Sequence, residues 1–127
     1  MANIATIKAD IENRCAKAVS STCGELKDEL VFLVDSEFYS QYSPVQYIRT
    51  GQLGGDAPQS KVISNLEGKV MMDGSTLRYN GISGDGVIAL SAGGWHGYVK
   101  QTDGRYWESF IGYCGSNAVN LLIKNLK

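Results

Sequence analysis

The sequence predicts an α+β fold in which a long N-terminal helix, a small mainly antiparallel sheet and a C-terminal helix follow one another. Apolar residues recur at helical spacing over residues 1–39 and again over 107–127. Between them, residues 61–91 hold short β-prone runs separated by glycine-containing turns. With 127 residues, of which 43% are hydrophobic and 20% charged, the chain suits one soluble domain with one core. We therefore expect a single domain over residues 1–127.

The N-terminal helix is predicted from a stripe of residues spaced three or four apart, namely Ile4, Ile7, Ile11, Cys15, Ala18, Thr22, Leu26, Leu30, Leu33 and Glu37. Gly24 leaves two alternatives open: one helix of about 50 Å, or two shorter helices folded together after a break. A compact body of this mass is shorter than about 50 Å. A continuous helix would therefore project from the body, and its apolar stripe would need another chain to cover it.

Two loops flank the predicted sheet. Pro44 lacks an amide donor and disfavours helical geometry in the residue before it, so we expect residues 40–60 to form a loop rich in Tyr, Arg and Gly. A second, glycine-rich loop is predicted over 92–106. The C-terminal helix that follows is indicated by another amphipathic series, which comprises Trp107, Phe110, Ile111, Cys114, Ala118, Leu121, Leu122 and Leu126.

The sheet is predicted to hold three to five strands. Residues 61–66 and 69–73 have strand-like composition and flank Glu67 and Gly68, which suit a two-residue hairpin turn. Two further short strands are predicted, at residues 76–79 and 87–91.

Charge excludes some classes of partner. The net charge of −1 argues against a nucleic-acid binder that neutralises phosphates. No apolar run approaches the roughly 20 residues of a membrane span, so no membrane partner is expected. Residues 1–39 carry 4 basic and 7 acidic side chains, whereas residues 100–127 carry 4 basic and 2 acidic ones. Opposite charge at the two ends would favour head-to-tail association, although solvated surfaces produce such imbalances too.

The three cysteines form no disulfide framework. Cys15 and Cys23 lie eight residues apart on the predicted helix, about 12 Å along its axis, which is too far for a disulfide. Cys114 has no partner in sequence, so we expect reduced thiols, as in cytosol. Together with His96, these residues lack the spacing of a zinc site. No metal or cofactor is expected.

His96 is the only histidine and the main candidate for catalysis. No nucleophile elbow is present and no acidic residue lies close in sequence to orient the imidazole ring. Gly84, Gly86 and Ala89 formally match a dinucleotide-binding fingerprint, which requires a helix where residues 87–90 suggest a strand. We therefore expect no catalytic residues. A small hydrolase or transferase using His96, or a small host binding module, stays as an alternative.

The segment around residues 42–53 is the main candidate for an interface. Pro44 fixes a turn, Tyr47 offers an apolar ring with a polar tip, and Arg49 can stack on rings or bind carboxylates. Tyrosine and arginine are enriched at protein–protein contacts. The alternative role is a loop that seals the bottom of the core.

This segment resembles the small head–tail connector, or tail-completion, proteins of long-tailed double-stranded DNA phages and prophages. The matching pattern is Tyr-x-Pro-x-x-Tyr-x-Arg-Thr-Gly-x-Leu, with Tyr42, Pro44, Tyr47, Arg49, Thr50, Gly51 and Leu53. The order of elements along most of the chain is also similar, with weaker matches at His96 and over residues 104–110. The Gly84–Gly94 stretch is shorter and richer in glycine than the family pattern.

The resemblance implies a non-enzymatic virion protein, made in the bacterial host cytoplasm. It would form a ring, commonly a hexamer, and contact neighbouring connector and tail proteins. The seven matching residues, with Trp95 and His96, are then the candidate interface to other subunits or partners. The glycine-rich stretch over 81–104 is expected to become ordered on docking.

Overall fold

The computed structural model describes residues 3–39, 52–75, 77, 83–93, 95–96, 99–100 and 105–127. In chain order its elements are α1 (Ile4–Glu37), the single-turn α2 (Gln52–Gly55), β1 (Pro58–Ser64), β2 (Glu67–Met72), α3 (Gly84–Ala92), β3 (Trp95–His96), β4 (Val99–Lys100) and α4 (Tyr106–Leu126). The predicted α+β class is confirmed: a long N-terminal helix, antiparallel strands and a C-terminal helix occur in the expected order.

α1 is one continuous helix of 34 residues that runs through Gly24 without a break. At 1.5 Å per residue its length is about 50 Å. Its first turn is capped by Asn3, whose side-chain oxygen accepts a hydrogen bond of 2.9 Å from the backbone N–H of Thr6. Of the two arrangements that the sequence allowed, the long helix is therefore the observed one.

α4 packs antiparallel against the C-terminal half of α1. The Ser109 hydroxyl, near the start of α4, donates to the Glu37 carboxylate near the end of α1, with both oxygens within 2.9 Å. Near the end of α4, the side-chain amide of Asn125 donates to the Thr22 hydroxyl at 3.1 Å. The last turn of α4 thus lies level with Thr22, well short of the start of α1.

β1 and β2 form an antiparallel hairpin that also lies on α1. Pro58 pairs with Met72 and Ser64 with Glu67, with a register shift between residues 62 and 64. The turn is made by residues 65–66, so the prediction of a turn at residues 67–68 was wrong by two residues. β1 begins at Pro58, inside the stretch predicted as a loop.

The reason for this difference is the close approach of the hairpin to α1. Gly68 lies within β2, and a Cβ added there would be 2.5 Å from the Cys23 sulfur and 2.9 Å from a methyl group of Val19. Glycine is therefore required at this position by packing, whereas the sequence interpretation assigned it to a turn.

The prediction of a strand over residues 87–91 was also wrong, because these residues lie in α3. The Ser83 hydroxyl caps that helix by accepting from the Gly86 N–H at 3.1 Å, and Asp85 places an acidic group in the first turn. A short apolar run is compatible with a strand and with a helix that packs on a core. Here the cap at Ser83 favours the helix. The four described strands consequently form two separate antiparallel pairs, β1–β2 and β3–β4.

Other predicted boundaries change less. The predicted loops contain α2 and the start of β1 in residues 52–60, and the short β3–β4 pair in residues 92–106. Of the predicted strand at 76–79 only Leu77 is described, and its side chain is buried. α4 begins at Tyr106, one residue before the predicted start.

The hydrophobic core lies between the C-terminal half of α1, the start of α4, the region of α2 and the side chain of Leu77. Its buried members are Leu26, Leu30, Leu33, Val34, Phe38, Leu53, Ala57, Leu77, Tyr106 and Phe110. No residue of α1 before Leu26 belongs to this cluster. The core therefore holds one end of the long helix and leaves the other end outside.

Candidate interaction surface

The N-terminal part of α1, residues 3–17, projects from the body of the protein, and we call it the tip. None of its residues is buried, and the first buried residue of α1 is Ala18. At 1.5 Å per residue the tip extends the helix by about 20 Å. Three large apolar side chains lie on it: Ile4 is 85% exposed, Ile7 50% and Ile11 56%. Isoleucine is among the residues most often buried in folded proteins, so an exposed row of three indicates an interaction surface.

Four of the five charged residues of the tip form two pairs within the helix. Lys8 lies 3.8 Å from Glu12, and Arg14 lies 3.1 Å from Asp10, each four residues apart. Exposed pairs of this kind add at most a few tenths of a kcal/mol to helix stability. Their main consequence is that these two acidic and two basic groups balance. Charge repulsion therefore does not oppose the docking of another surface on the three isoleucines.

An apolar groove lies near the opposite end of the protein. It has a volume of about 440 Å³ and is lined by β2, α3 and the start of α4, with contributions from Val70, Met72, Ile88, Ala89, Tyr106 and Trp107. Methionine side chains adapt their shape easily, which suits a groove that accepts apolar side chains from a partner.

Tyr106 forms the floor of this groove and ties α4 to α3. Its ring is fully buried and packs edge-on against Phe38, with ring centroids 6.2 Å apart. Its hydroxyl lies 2.7 Å from the Ser91 hydroxyl, which itself donates to the Ile88 carbonyl at 2.9 Å. Burial raises the pKa of Tyr106 to about 12, against a smaller lowering by the Ser91 hydrogen bond. The phenol is therefore neutral at physiological pH, and its hydroxyl joins α4 to α3 by hydrogen bonding.

All three cysteines are free. Burial raises the pKa of the Cys23 and Cys114 thiols, which lowers the fraction of reactive thiolate at neutral pH. Within the described residues, no group of three or more His, Cys, Asp or Glu side chains is placed to hold a metal ion. In that same part of the chain, no helix has the length and apolar character needed to cross a membrane.

A known protein family matches most of the chain. The family model named YomN matches residues 3–120. The chain belongs to the YomN family. This family is of phage and prophage type, so the protein is phage-associated. Searches of curated proteins and of solved structures gave no match. The YomN match includes the tip, the groove and most of α4, so both surfaces belong to the family domain.

Most of the interface residues predicted from the sequence of this YomN-family chain lie outside the described residues: Tyr42, Pro44, Tyr47, Arg49, Thr50 and Gly51. Leu53 is described, and at 5% exposure it is part of the core. The next residue is anchored through its backbone, because the Gly54 N–H donates to the Tyr39 hydroxyl at 3.2 Å. Leu53 and Gly54 therefore lie beside the end of α1.

Trp95 and His96 form β3, where they pair with Lys100 and Val99 respectively. The strand follows directly on α3, so its backbone lies close to the element that forms one wall of the groove. Only the backbone of these two residues is described. Their predicted role in an interface stays a prediction.

The apolar stripe of the tip was predicted from the sequence, whereas the groove was not. The groove depends on α3, whose helical character was missed because residues 87–91 suggested a strand. The signal that would have identified α3 is Ser83 followed by Asp85, a cap residue and an acidic residue ahead of an apolar run.

Proposed function

We propose that the protein is a non-enzymatic structural component of the phage particle, a ring-forming tail-completion or neck subunit at the junction of head and tail. The observation that carries the proposal is the tip, a helix of about 20 Å that offers three exposed isoleucines beyond the body. Burial of these side chains against another surface would stabilise such a helix further. An assembly subunit supplies such a surface in its neighbours.

Two further observations support an assembly role. The family is phage-associated, and the sequence segment around Tyr47 and Arg49 resembles that of head–tail connector proteins. In this proposal the protein is made in the cytoplasm of the bacterial host and becomes part of the virion. Its partners are copies of itself and the neighbouring connector and tail proteins.

Deletion of the gene in the phage or inducible prophage tests the proposal. We expect DNA-filled heads and complete but separate tails in electron micrographs of the lysate, together with a loss of infectious titre. Expression of the wild-type protein from a plasmid should restore joined particles. Joined, infectious particles in the absence of the protein would overturn the proposal. A measurable turnover by the purified protein that is abolished in His96→Ala would favour the enzyme alternative instead.

A further inference from the structure

We infer that the tip of one copy docks in the apolar groove of a second copy. The inference rests on the proposed assembly function and names the contact that would build the ring. The tip offers Ile4, Ile7 and Ile11, at positions i, i+3 and i+7 of a helix. This spacing is the one by which amphipathic helices anchor in apolar grooves.

The groove is large enough for the three isoleucine side chains of the tip. A methyl or methylene group occupies about the volume of a water molecule, ~30 Å³, so three four-carbon side chains fill roughly 360 Å³. The groove offers about 440 Å³. The groove is open on one side, and it therefore has room to receive the three side chains from outside.

The groove cannot be filled by the tip of the same chain. Tyr106 in the groove packs against Phe38, at the far end of α1 from the tip. Ile7 and Phe38 are 31 residues apart, so about 45 Å of helix separates Ile7 from the Tyr106 side of the groove. A surface at one end of a molecule that fits a surface at the other end makes a head-to-tail contact, which closes into a ring when the rotation between copies allows it.

Pairing of two tips with each other is less favourable. The three isoleucines together expose an area equal to roughly two full side chains, far below the approximately 800 Å² per partner of a stable interface. Contact between two tips would pair this small apolar area with another equally small one, without a concave surface to receive it. In the groove, the same side chains also meet β2, α3 and α4, and the ring adds a second contact for each subunit.

Disulfide trapping with the full-length protein tests this contact even when it is weak. Lys8→Cys on the tip of one preparation is mixed with Ala89→Cys on the groove wall of another under mild oxidation. The heterodimer is then quantified by mass spectrometry. The native cysteines are common to every mixture and set the background. The matched control replaces Ala89→Cys by Val119→Cys, which is exposed on α4 away from the groove.

We expect the Lys8→Cys and Ala89→Cys pair to exceed the control pair by roughly tenfold, because docking raises the local thiol concentration. Ile7→Asp added to the tip should reduce the yield to that of the control. Ala9→Asp, which adds the same charge on the opposite face of the tip, should leave it unchanged. A yield no higher than the control overturns the inference, as does a predominance of Lys8→Cys homodimers, which would indicate paired tips.

The outcomes separate this inference from the proposed function. If trapping fails but deletion of the gene leaves heads and tails unjoined, the contact between tip and groove is refuted and the proposed role in the neck is supported. If trapping succeeds but deletion has no effect on the particle, copies of the chain associate in some other setting.

Discussion

Gly68 shows how tightly the β1–β2 hairpin packs on α1. A Cβ at this position would lie 2.5 Å from the Cys23 sulfur and 3.3 Å from the Lys61 carbonyl. Gly68→Ala should therefore lower the free energy of unfolding by about 1–3 kcal/mol, because helix and hairpin must separate to admit the methyl group. Chemical denaturation monitored by circular dichroism measures this change.

Gly24 provides the matched control for that substitution. Nothing lies within 4 Å of a Cβ at Gly24, which is in the interior of α1. Gly24→Ala should raise the free energy of unfolding by about 0.5–1 kcal/mol, since alanine loses less backbone entropy in a helix. If both substitutions changed stability in the same direction, the packing of the hairpin on α1 described above would be wrong.

Tyr106 predicts how stability depends on pH in the alkaline range. Burial raises its pKa to about 12 in the folded protein, whereas an unfolded tyrosine titrates near 10. Between these values the folded state binds the proton more tightly. Its contribution to stability is therefore complete below pH ~10 and is lost as the pH rises towards 12.

Tyr106→Phe tests this dependence. At neutral pH the variant should be less stable by about 1 kcal/mol, because the hydrogen bond to Ser91 is lost. From pH 10 to 12 its stability should fall less steeply than that of the wild type, since the titrating phenol is absent. Denaturant midpoints measured across this range give both slopes. Parallel slopes for the two proteins would exclude Tyr106 as the source of the dependence.

α1 was the element most accessible from the sequence, because its apolar stripe keeps helical spacing from Ile4 to Glu37. Periodicity alone did not decide whether Gly24 interrupts it. A single glycine costs about 1 kcal/mol relative to alanine. The packing of α4 against Thr22 and of the hairpin against Val19 and Cys23 outweighs that cost.

The tip of α1 should be less protected than the rest of the helix, because no core contact stabilises it. Asn3 caps it by accepting from the backbone N–H and the hydroxyl of Thr6. Asn3→Ala should weaken the first turns by about 1 kcal/mol, which corresponds to a several-fold increase in amide hydrogen exchange over residues 6–8. The melting temperature should stay within about 2 °C, since local opening of the tip does not require global unfolding.

Hydrogen exchange resolved along the chain, together with thermal denaturation of the same samples, measures both effects. A fall in melting temperature as large as that expected for Gly68→Ala would contradict the separation of tip and core.

α3 could not be predicted from hydrophobic periodicity, which was the basis for predicting α1. Residues 87–90 are Val, Ile, Ala and Leu, a run too short to show a period. The helix is decided by its cap at Ser83 and by packing, since Val87 and Ile88 lie against the core. The hairpin turn was misplaced for a similar reason. Glycine is needed at position 68 because of a contact with α1, and a contact between distant residues cannot be seen in the local sequence.

The molecule as a whole has a core at one end of a long helix and an uncovered apolar tip at the other. The tip could be predicted from sequence, because a helix of about 50 Å exceeds the diameter of a body of this size. The groove could not, because three elements distant in sequence form it: β2, α3 and the start of α4. The family match adds that the chain is phage-associated. In the assembly role proposed above, neighbouring subunits cover the exposed isoleucines of the tip.

The most direct test of that role is reconstitution of infectious particles. Heads and tails from a lysate of the deletion strain are mixed with purified protein, and the infectious titre is counted. The wild type and Ala9→Asp should restore the titre equally. Ile7→Asp should restore it at least about tenfold less well, because burial of an isoleucine side chain contributes roughly 1.5–3 kcal/mol. Full restoration by Ile7→Asp, with its helix content intact by circular dichroism, would contradict the role of the tip in assembly.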